Sequence, residues 1–409
     1  MLVIDIIYIF FITLSLYFTI LFLLIFFDQR KNLLKDNLPT YWPKLTILIP
    51  IHNKAKDIAE CIHLIKSSDY PKNKLSIIAL NDKSTDNTLN ILNKIKGIKI
   101  ISNAKNIGKA LTLNKAIKFV QSEFVAVIDG DSFIDKNALK LIVGKILEND
   151  NIGAVTCAIT TKGTGSFLQR LQDIEYSIIV WVRKLLQTVD SIYVTPGPLA
   201  LYRTKVLKEI GGFDSTNITE DIEIAWKLMY HGYKVRMALG AKVLVDSHKS
   251  FKKWWRQRQR WSMGGIQTLL KYKNTLFKKR YGMLGKFVGP FFLLSIFVSL
   301  SGFIVFSYTM GITLMKVIYS ILAPNSVFQY YKDIIMLPSV FLYFGIIIFI
   351  LSLAYVYFGL HTMNNKRYLS FRNLRIIDLL AYLTIYVTIF PVILLTAMYR
   401  LYRRDMSWY

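Results

Sequence analysis

Only two cysteines occur in 409 residues, Cys61 and Cys157, both in apolar contexts and neither in a metal-type spacing. They supply neither a disulfide framework nor a zinc site, which fits a reduced compartment. Acidic residues are also scarce, 26 against 52 lysines and arginines, for a net charge of +26. Nucleic acid would be one partner for such a surplus. The chain, however, is 53% hydrophobic, has a mean hydropathy of +0.36 and carries apolar runs foreign to a soluble nucleic-acid binder. An anionic membrane leaflet is therefore the expected partner, and nucleic acid is not. Two familiar phosphate and metal motifs are missing too. The turn Asn106-Ile-Gly-Lys109 has no glycine five positions before Gly108, and Ala110 stands where a P-loop needs Ser or Thr. After Asp129, Phe133 and Lys140 occupy positions where an EF-hand needs ligands.

What is present centres on Phe124–Asp135, FVAVIDGDSFID. Five apolar residues in a row, Phe124–Ile128, read as a strand covered on both faces. Asp129, Gly130 and Asp131 follow at its C-terminal edge, where open α/β sheets bind ligands. Two carboxylates one residue apart can share a divalent cation that grips a phosphate. The same residues also make an ordinary polar turn.

Val3–Phe27 is almost unbroken apolar sequence, enough to span a bilayer, and Arg30, Lys31 and Lys35 follow it. A cleaved signal peptide has its positive charge first, so this reads as a retained helix with its N-terminus outside and the next domain cytoplasmic. A short linker with Pro39 and Pro43 ends at Lys44. Strand and helix signals then alternate: LTILIPI, a helix over Lys54–Ser68, LSIIALND, a helix from Asp86, IKIIS, a helix over Gly108–Gln121, and the strand at Phe124. That alternation predicts a parallel sheet with helices on both faces. Asn53, Asn81, Asp82, Asp129 and Asp131 end successive strands, so polar groups converge on one edge. Lys109, opening a helix after Gly108, either helps bind phosphate or simply starts the helix.

Another strand, IGAVTCAIT, and a long helix over Ser166–Val189 lead to Thr195-Pro-Gly-Pro-Leu-Ala-Leu-Tyr-Arg203, in which Gly197 and Pro198 fix either a pocket wall or a plain turn. Thr219-Glu-Asp-Ile-Glu223 opens a helix: Thr219 suits an N-cap and the acids suit the helix dipole, while Asp221 would also serve as a general base. Ser250–Tyr272 is a basic, Trp-rich helix containing FKKWWRQRQRW, as interfacial helices do. Within it Gln257, Arg260 and Trp261 share a face, where an arginine can hold a diphosphate and a tryptophan can stack on a sugar.

Beyond Lys286 three more apolar stretches, Phe287 to about Met310, Ile335–Leu360 and Ile376–Met398, are long enough to span. The stretch His361–Arg375 is basic and should be cytoplasmic. Three spans then put Arg400, Arg403 and Arg404 outside, against the positive-inside rule. Either the rule is broken here, or Gly311–Leu322 adds a short re-entrant or fourth segment.

Together these stretches resemble the membrane-embedded family 2 glycosyltransferases, the group that includes cellulose, chitin, hyaluronan and poly-N-acetylglucosamine synthases. The matching residues are Asp82 in NDKSTD, Asp129 and Asp131 in DGD, Glu220 and Asp221 in TED, and Gln257, Arg260 and Trp261 in QRQRW, in the family's order over about Leu45–Leu270. The resemblance implies an α/β GT-A domain with a mixed, mostly parallel sheet, joined to an α-helical transmembrane region in a multi-pass cell-membrane protein. The domain limits it implies are 1–28 for the first membrane helix, 29–43 for the linker, 44–250 for the catalytic domain, 251–282 for the interface region and 283–409 for the remaining membrane helices. One helix precedes the catalytic domain where the synthases often have two, and no cyclic-dinucleotide-binding extension is expected.

The implied chemistry is inverting transfer from a UDP-sugar to a growing polysaccharide or lipid acceptor, with membrane lipids as further partners. Asp82 would bind uridine with Asn53 beside it. Asp129 and Asp131 would place Mg2+ or Mn2+ on the diphosphate, with Lys109, Gln257 and Arg260 also on the donor. Asp221, with Glu220, would act on the acceptor hydroxyl. Trp261, Gly197 and Pro198 would face the acceptor, and the TPGPLALYR turn is similar to that of synthases of N-acetylglucosamine-containing polymers. A single-transfer glycolipid synthase of the ceramide glucosyltransferase kind is the alternative, and a non-catalytic basic scaffold has no use for Asp82, Asp129, Asp131 and Asp221.

Overall fold

A computed structural model describes residues 2–33, 35–163, 165–322, 340–362 and 376–405. The basic residues Lys366, Arg367, Arg372 and Arg375 lie outside the described residues.

Strands β1 (Leu45–Ile51), β2 (Leu75–Asn81), β3 (Lys99–Ser102) and β4 (Phe124–Val127) form the parallel half of an eight-stranded sheet. The rest is β5 (Ser132–Ile134), β6 (Ile152–Thr161), β7 (Ala200–Arg203) and β8 (Lys234–Val245), and the order is β3-β2-β1-β4-β7-β6-β8-β5. The pairs β1/β2, β1/β4, β2/β3 and β6/β8 are parallel, whereas β4/β7, β6/β7 and β5/β8 are antiparallel. The mixed, mostly parallel sheet is thus the one expected. Leu45 pairs with both Leu75 and Phe124, so β1, β2 and β4 start at one level and run in the same direction. Ile51, Asn81 and Asp129 therefore open onto a common edge.

The sheet is buried on both faces because alternate residues serve different helices. Ile47, Ile49, Phe124, Ala126 and Ile128 share a core with α2 (Ile58–Ser67) and α5 (Ala138–Ile146). Leu48, Val125 and Val127 belong to the opposite core with α4 (Lys109–Ile117) and α8 (Glu220–Tyr230). Fully burying one such Leu or Ile contributes roughly 1.5–3 kcal/mol. Cys61 and Cys157 are free and fully buried, and burial pushes both thiols up to about 12.

The linker after α1 (Leu2–Leu33) is docked on the sheet domain. Asp36 accepts from the backbone N of Gly240 at 2.5 Å, Tyr41 Oη donates to Glu123 at 2.5 Å, and Asn37 donates to Glu148 at 2.8 Å. Its backbone runs so close over α5 that a Cβ at Gly144 would lie 2.0 Å from the Asn37 carbonyl oxygen.

The remaining helices are α3 (Thr88–Lys94), α6 (Phe167–Leu186), α7 (Thr204–Glu209), α9 (Phe251–Lys271), α10 (Gly289–Leu322), α11 (Val340–Thr362), α12 (Ile376–Ala381) and α13 (Val387–Tyr402), with a π turn at Tyr382–Tyr386 between the last two. Helix α10 runs unbroken to Leu322, so Gly311–Leu322 is neither a re-entrant nor a separate segment, because no proline or capping residue interrupts its apolar run. Among the described residues, four helices could cross a membrane by length and composition: Ile6–Gln29, Leu284–Tyr319, Gly345–Thr362 and Ile377–Tyr402.

Candidate active site

The loops after β1 and β2 are tied together at the shared edge. Asn53 adopts φ 54°, a left-handed conformation that asparagine tolerates. There its Oδ1 accepts from Thr85 N at 2.8 Å while its own N donates to Ser84 Oγ at 3.1 Å. Asp82, 4% exposed, accepts from Ile107 N at 3.0 Å, Gly108 N at 2.8 Å and Asn103 Nδ2 at 2.9 Å. The carboxylate thus holds the loop entering α4, with about one of its four acceptor positions to spare.

That loop delivers Lys109 to the centre of the site. Its Nζ lies 2.7 Å from Asp129 Oδ1 and 2.8 Å from Glu220 Oε1. Burial opposes its charge, but Asp129, Glu220 and Asp221 outweigh burial and push its pKa up. Asp131 forms a separate ion pair with Lys54. Each carboxylate of the Asp-Gly-Asp turn is therefore neutralised by a lysine. Gly197 packs against this centre: a Cβ there would lie 2.4 Å from Asp129 Oδ2 and 2.6 Å from Lys109 Nζ, and its carbonyl accepts from Asp129 N at 3.1 Å. Pro198 follows it at the entry to β7. Thr195 donates to the Asp221 carbonyl through N at 3.0 Å and Oγ1 at 3.1 Å, so the Pro-Gly-Pro turn bridges Asp129 and Asp221.

Asp221 lies in the first turn of α8. Burial, reinforced by Glu220, raises its carboxyl from 3.8 to about 6, against the opposing pull of Lys109 and Arg260. Thr219 stands at the N-cap but does not cap with its side chain; its hydroxyl meets Asn217 Oδ1 at 3.3 Å. The reason is packing. Thr219 fills the space over Gly264, where a Cβ would come within 1.8 Å of its Oγ1, so α9 crosses the start of α8 at close range. Fully buried Glu223 fastens the other end by accepting from Tyr272 Oη at 2.8 Å and from Lys271 Nζ.

Helix α9 departs from the simple interfacial helix in one respect. Lys252, Lys253, Arg256 and Arg260 are exposed, but Arg258 is 1% exposed and Trp254 is fully buried. Arg258 Nε donates to Glu175 Oε1 at 2.8 Å and its Nη2 to Glu175 Oε2. Nη1 donates to Gln257 Oε1 at 2.5 Å, and the guanidinium lies 4.0 Å from the Trp261 ring centroid. Half-buried Trp261 also meets Tyr176 edge-on at 6.3 Å.

The site thus joins Lys109, Asp129, Glu220 and Gly197 through direct contacts, with Asp221 tied to the same turn through Thr195 and within reach of Arg260, Asp82 holding the loop that delivers Lys109, and Asn53 on the neighbouring loop. Asp131 stands one residue from Asp129 with Lys54. Gln257 and Trp261 are held by Arg258. Sequence reasoning does not single out Lys54, Arg258, Glu175, His248 or Arg183. Asp131 opposes the burial that lowers the His248 pKa, which places this imidazole near the turn. Arg183, 6% exposed, has Nε and Nη1 without a hydrogen-bond partner among the described residues; burial lowers its pKa, and Asp221 is among the groups that oppose the shift.

The model of the family described as Glycosyl transferase family 2 matches residues 46–211. A poly-beta-1,6-N-acetyl-D-glucosamine synthase of Staphylococcus epidermidis is 31% identical over 231 residues, 56% of each chain. One from Staphylococcus aureus is 29% identical over 242 residues, 58% of each. The matched stretch is thus little more than half the length of these curated relatives. Among solved structures, a mannosyltransferase from Pyrobaculum calidifontis in complex with GDP-Man and Mn2+ superposes with a TM-score of 0.57 at 18% identity, covering 85% of this chain and 96% of that one. At that identity the likeness shows the fold alone, and the fold is GT-A-like, as expected from the sequence.

Proposed function

We propose that this chain, which carries a Glycosyl transferase family 2 domain over residues 46–211, is a membrane-integrated inverting glycosyltransferase that elongates a β-linked polysaccharide from a UDP-sugar. UDP-N-acetylglucosamine is the preferred donor, by analogy with the staphylococcal relatives. The observation that carries the reading is Lys109, bridging Asp129 and Glu220 within the electrostatic reach of a raised Asp221. A cation held among three acids at a strand edge is a ready place for a diphosphate beside a proton acceptor.

Asp131 and Asp129 would hold Mg2+ or Mn2+. No cluster of three His, Cys, Asp or Glu suited to a metal occurs among the described residues. Two carboxylates completed by substrate phosphates are nonetheless a usual magnesium site, and the pairing of each with a lysine ammonium supports a cation there. When bound, such an ion supplies Lewis-acid stabilisation of the departing diphosphate.

Lys109 and Arg260 add positive charge on the diphosphate. Asp82 and Asn53 shape the nucleoside end of the cleft. Asp221 takes the proton from the acceptor hydroxyl as it attacks the anomeric carbon, a contribution of about 10²- to 10⁴-fold. Trp261 and the Gly197-Pro198 turn face the acceptor. The catalytic domain is placed in the cytoplasm, with α1 and the later apolar helices anchoring it.

The test is UDP release by the purified protein in lipid with Mn2+ or Mg2+ and a panel of UDP-sugars, followed by sizing of the product. A long homopolymer from UDP-N-acetylglucosamine supports the reading. A product one sugar long replaces it with the glycolipid synthase, and no release with any UDP-sugar contradicts it.

A further inference from the structure

The last apolar helix behaves unlike a membrane span. Along residues 376–402 the inner stripe packs on α6 and α9, and also meets α10 and, through Leu379, Tyr382 and Leu383, Val356 and Leu360 of α11. Ala381, Tyr386 and Ile393 are buried in one cluster with Leu171 of α6 and Trp254 of α9, with Ile389 and Phe390 beside them. The stripe ends in polar contacts at both extremities. Asp378 accepts from Arg170 of α6, Nε to Oδ2 at 2.7 Å and Nη2 to Oδ1 at 3.1 Å. Arg400 Nη1 donates to Gln259 of α9 at 3.0 Å. The outer stripe exposes Ile377, Leu380, Ile385, Leu395 and Tyr399.

Roughly 33 Å of helix separates Asp378 from Arg400 at 1.5 Å per residue, about the thickness of a hydrocarbon core. A crossing helix would put one of them on the far side. Both instead touch helices of the catalytic domain, and α9 exposes Lys252, Lys253, Arg256 and Arg260 along the same stretch. A helix so charged does not enter the bilayer, so neither does the segment packed along it.

We propose that residues 376–402 do not cross the membrane but lie in the interface on the catalytic-domain side, apolar stripe to lipid, with Tyr386 acting as a positioning residue for the Gln257–Trp261 segment of α9. Only α1, α10 and α11 then cross. Arg400, Arg403 and Arg404 come to the same side as the basic stretch between α11 and α12, and the conflict with the positive-inside rule disappears.

The positioning role follows from the contacts of Tyr386. Its Oη donates to Glu175 Oε2 at 2.5 Å and accepts from Trp254 Nε1 at 2.7 Å. Glu175, 2% exposed, is thereby fixed between the interfacial segment and Arg258, which alone carries both the hydrogen bond to Gln257 and the stacking on Trp261. The segment acts on the site through two other residues and touches no substrate itself. This second half rests on the function proposed above; the topological half does not.

The test has two arms. Single cysteines are introduced as Arg404→Cys, Lys205→Cys on the catalytic surface and Asn325→Cys between α10 and α11, and are probed in cells with a membrane-impermeant maleimide. The two native cysteines are buried. Arg404→Cys is expected to react only after permeabilisation, like Lys205→Cys and unlike Asn325→Cys; labelling in intact cells like Asn325→Cys overturns the proposal. In the second arm Tyr386→Phe, which keeps the ring, is expected to lower kcat about tenfold, while the melting temperature falls only modestly for the lost buried hydrogen bonds and donor affinity does not track that fall. Full turnover, or a loss of donor affinity in step with stability, overturns the positioning role. Wild-type turnover in the same assay separates that failure from failure of the proposed function.

Discussion

Replacing Gly264 by alanine tests whether the approach of α9 to α8 sets the reacting geometry. The new Cβ would sit 1.8 Å from Thr219 Oγ1 and 2.6 Å from both Thr219 Cβ and Cγ2. Rotating the threonine side chain does not relieve the clash, since Cβ itself is too near. Carbon contacts settle at about 3.5 Å, so the two helices must part by roughly 1–1.5 Å. That displacement falls between Asp221, two residues beyond Thr219, and Arg260, one turn before Gly264. A misplacement of about 1 Å costs on the order of 10²-fold in rate, and the overpacking itself costs about 1–3 kcal/mol of stability. UDP release at saturating donor, with thermal melting as control, should show the rate falling far more than stability explains. Adding Thr219→Ala, which removes the nearest atom and a hydroxyl that caps nothing, should restore part of the rate. Wild-type turnover in Gly264→Ala would refute the reasoning.

The raised Asp221 carboxyl gives kcat/KM an acid limb near pH 6, falling about tenfold per unit below it. Because its folded value lies above 3.8, its contribution to stability is fully present below pH 3.8 and is lost as pH rises through about 6, so activity and this term move in opposite directions. A pH–rate profile of Glu220→Gln should show the limb displaced downward, since Glu220 raises Asp221. Lys109→Met should displace it upward and weaken UDP binding, which isothermal titration would detect. Asp131→Ala should abolish the metal dependence of UDP binding while leaving the metal-free affinity unaltered.

Much of the sheet was legible because β1, β2 and β4 are apolar runs that stop abruptly in Asn or Asp, and buried parallel strands have that signature. Strand β8 has no counterpart among the expected strands. Its sequence, KVRMALGAKVLV, mixes charge into a bulged strand paired along only part of its length with the short edge strand β5, and its exposed residues blur the apolar run. The acids of the site announced themselves by position, but their partners did not. Lys54 and Lys109 are two of many lysines, and only the fold brings them to Asp131 and Asp129. Arg258 resembles its basic neighbours in sequence. What buries it is Glu175, 83 residues earlier on another helix, and a long-range ion pair leaves no local pattern. The apolar run over residues 376–402 carries the same ambiguity, because length and composition fit a span and a lipid-facing interfacial helix equally well.

The most direct measurement is UDP binding and sugar transfer on one preparation of Asp221→Asn beside the wild type, with UDP-N-acetylglucosamine and Mn2+. If Asp221 takes the acceptor proton, the variant binds UDP within about twofold of wild type and transfers at least about 10²-fold more slowly. Wild-type transfer by Asp221→Asn would contradict the account at its centre.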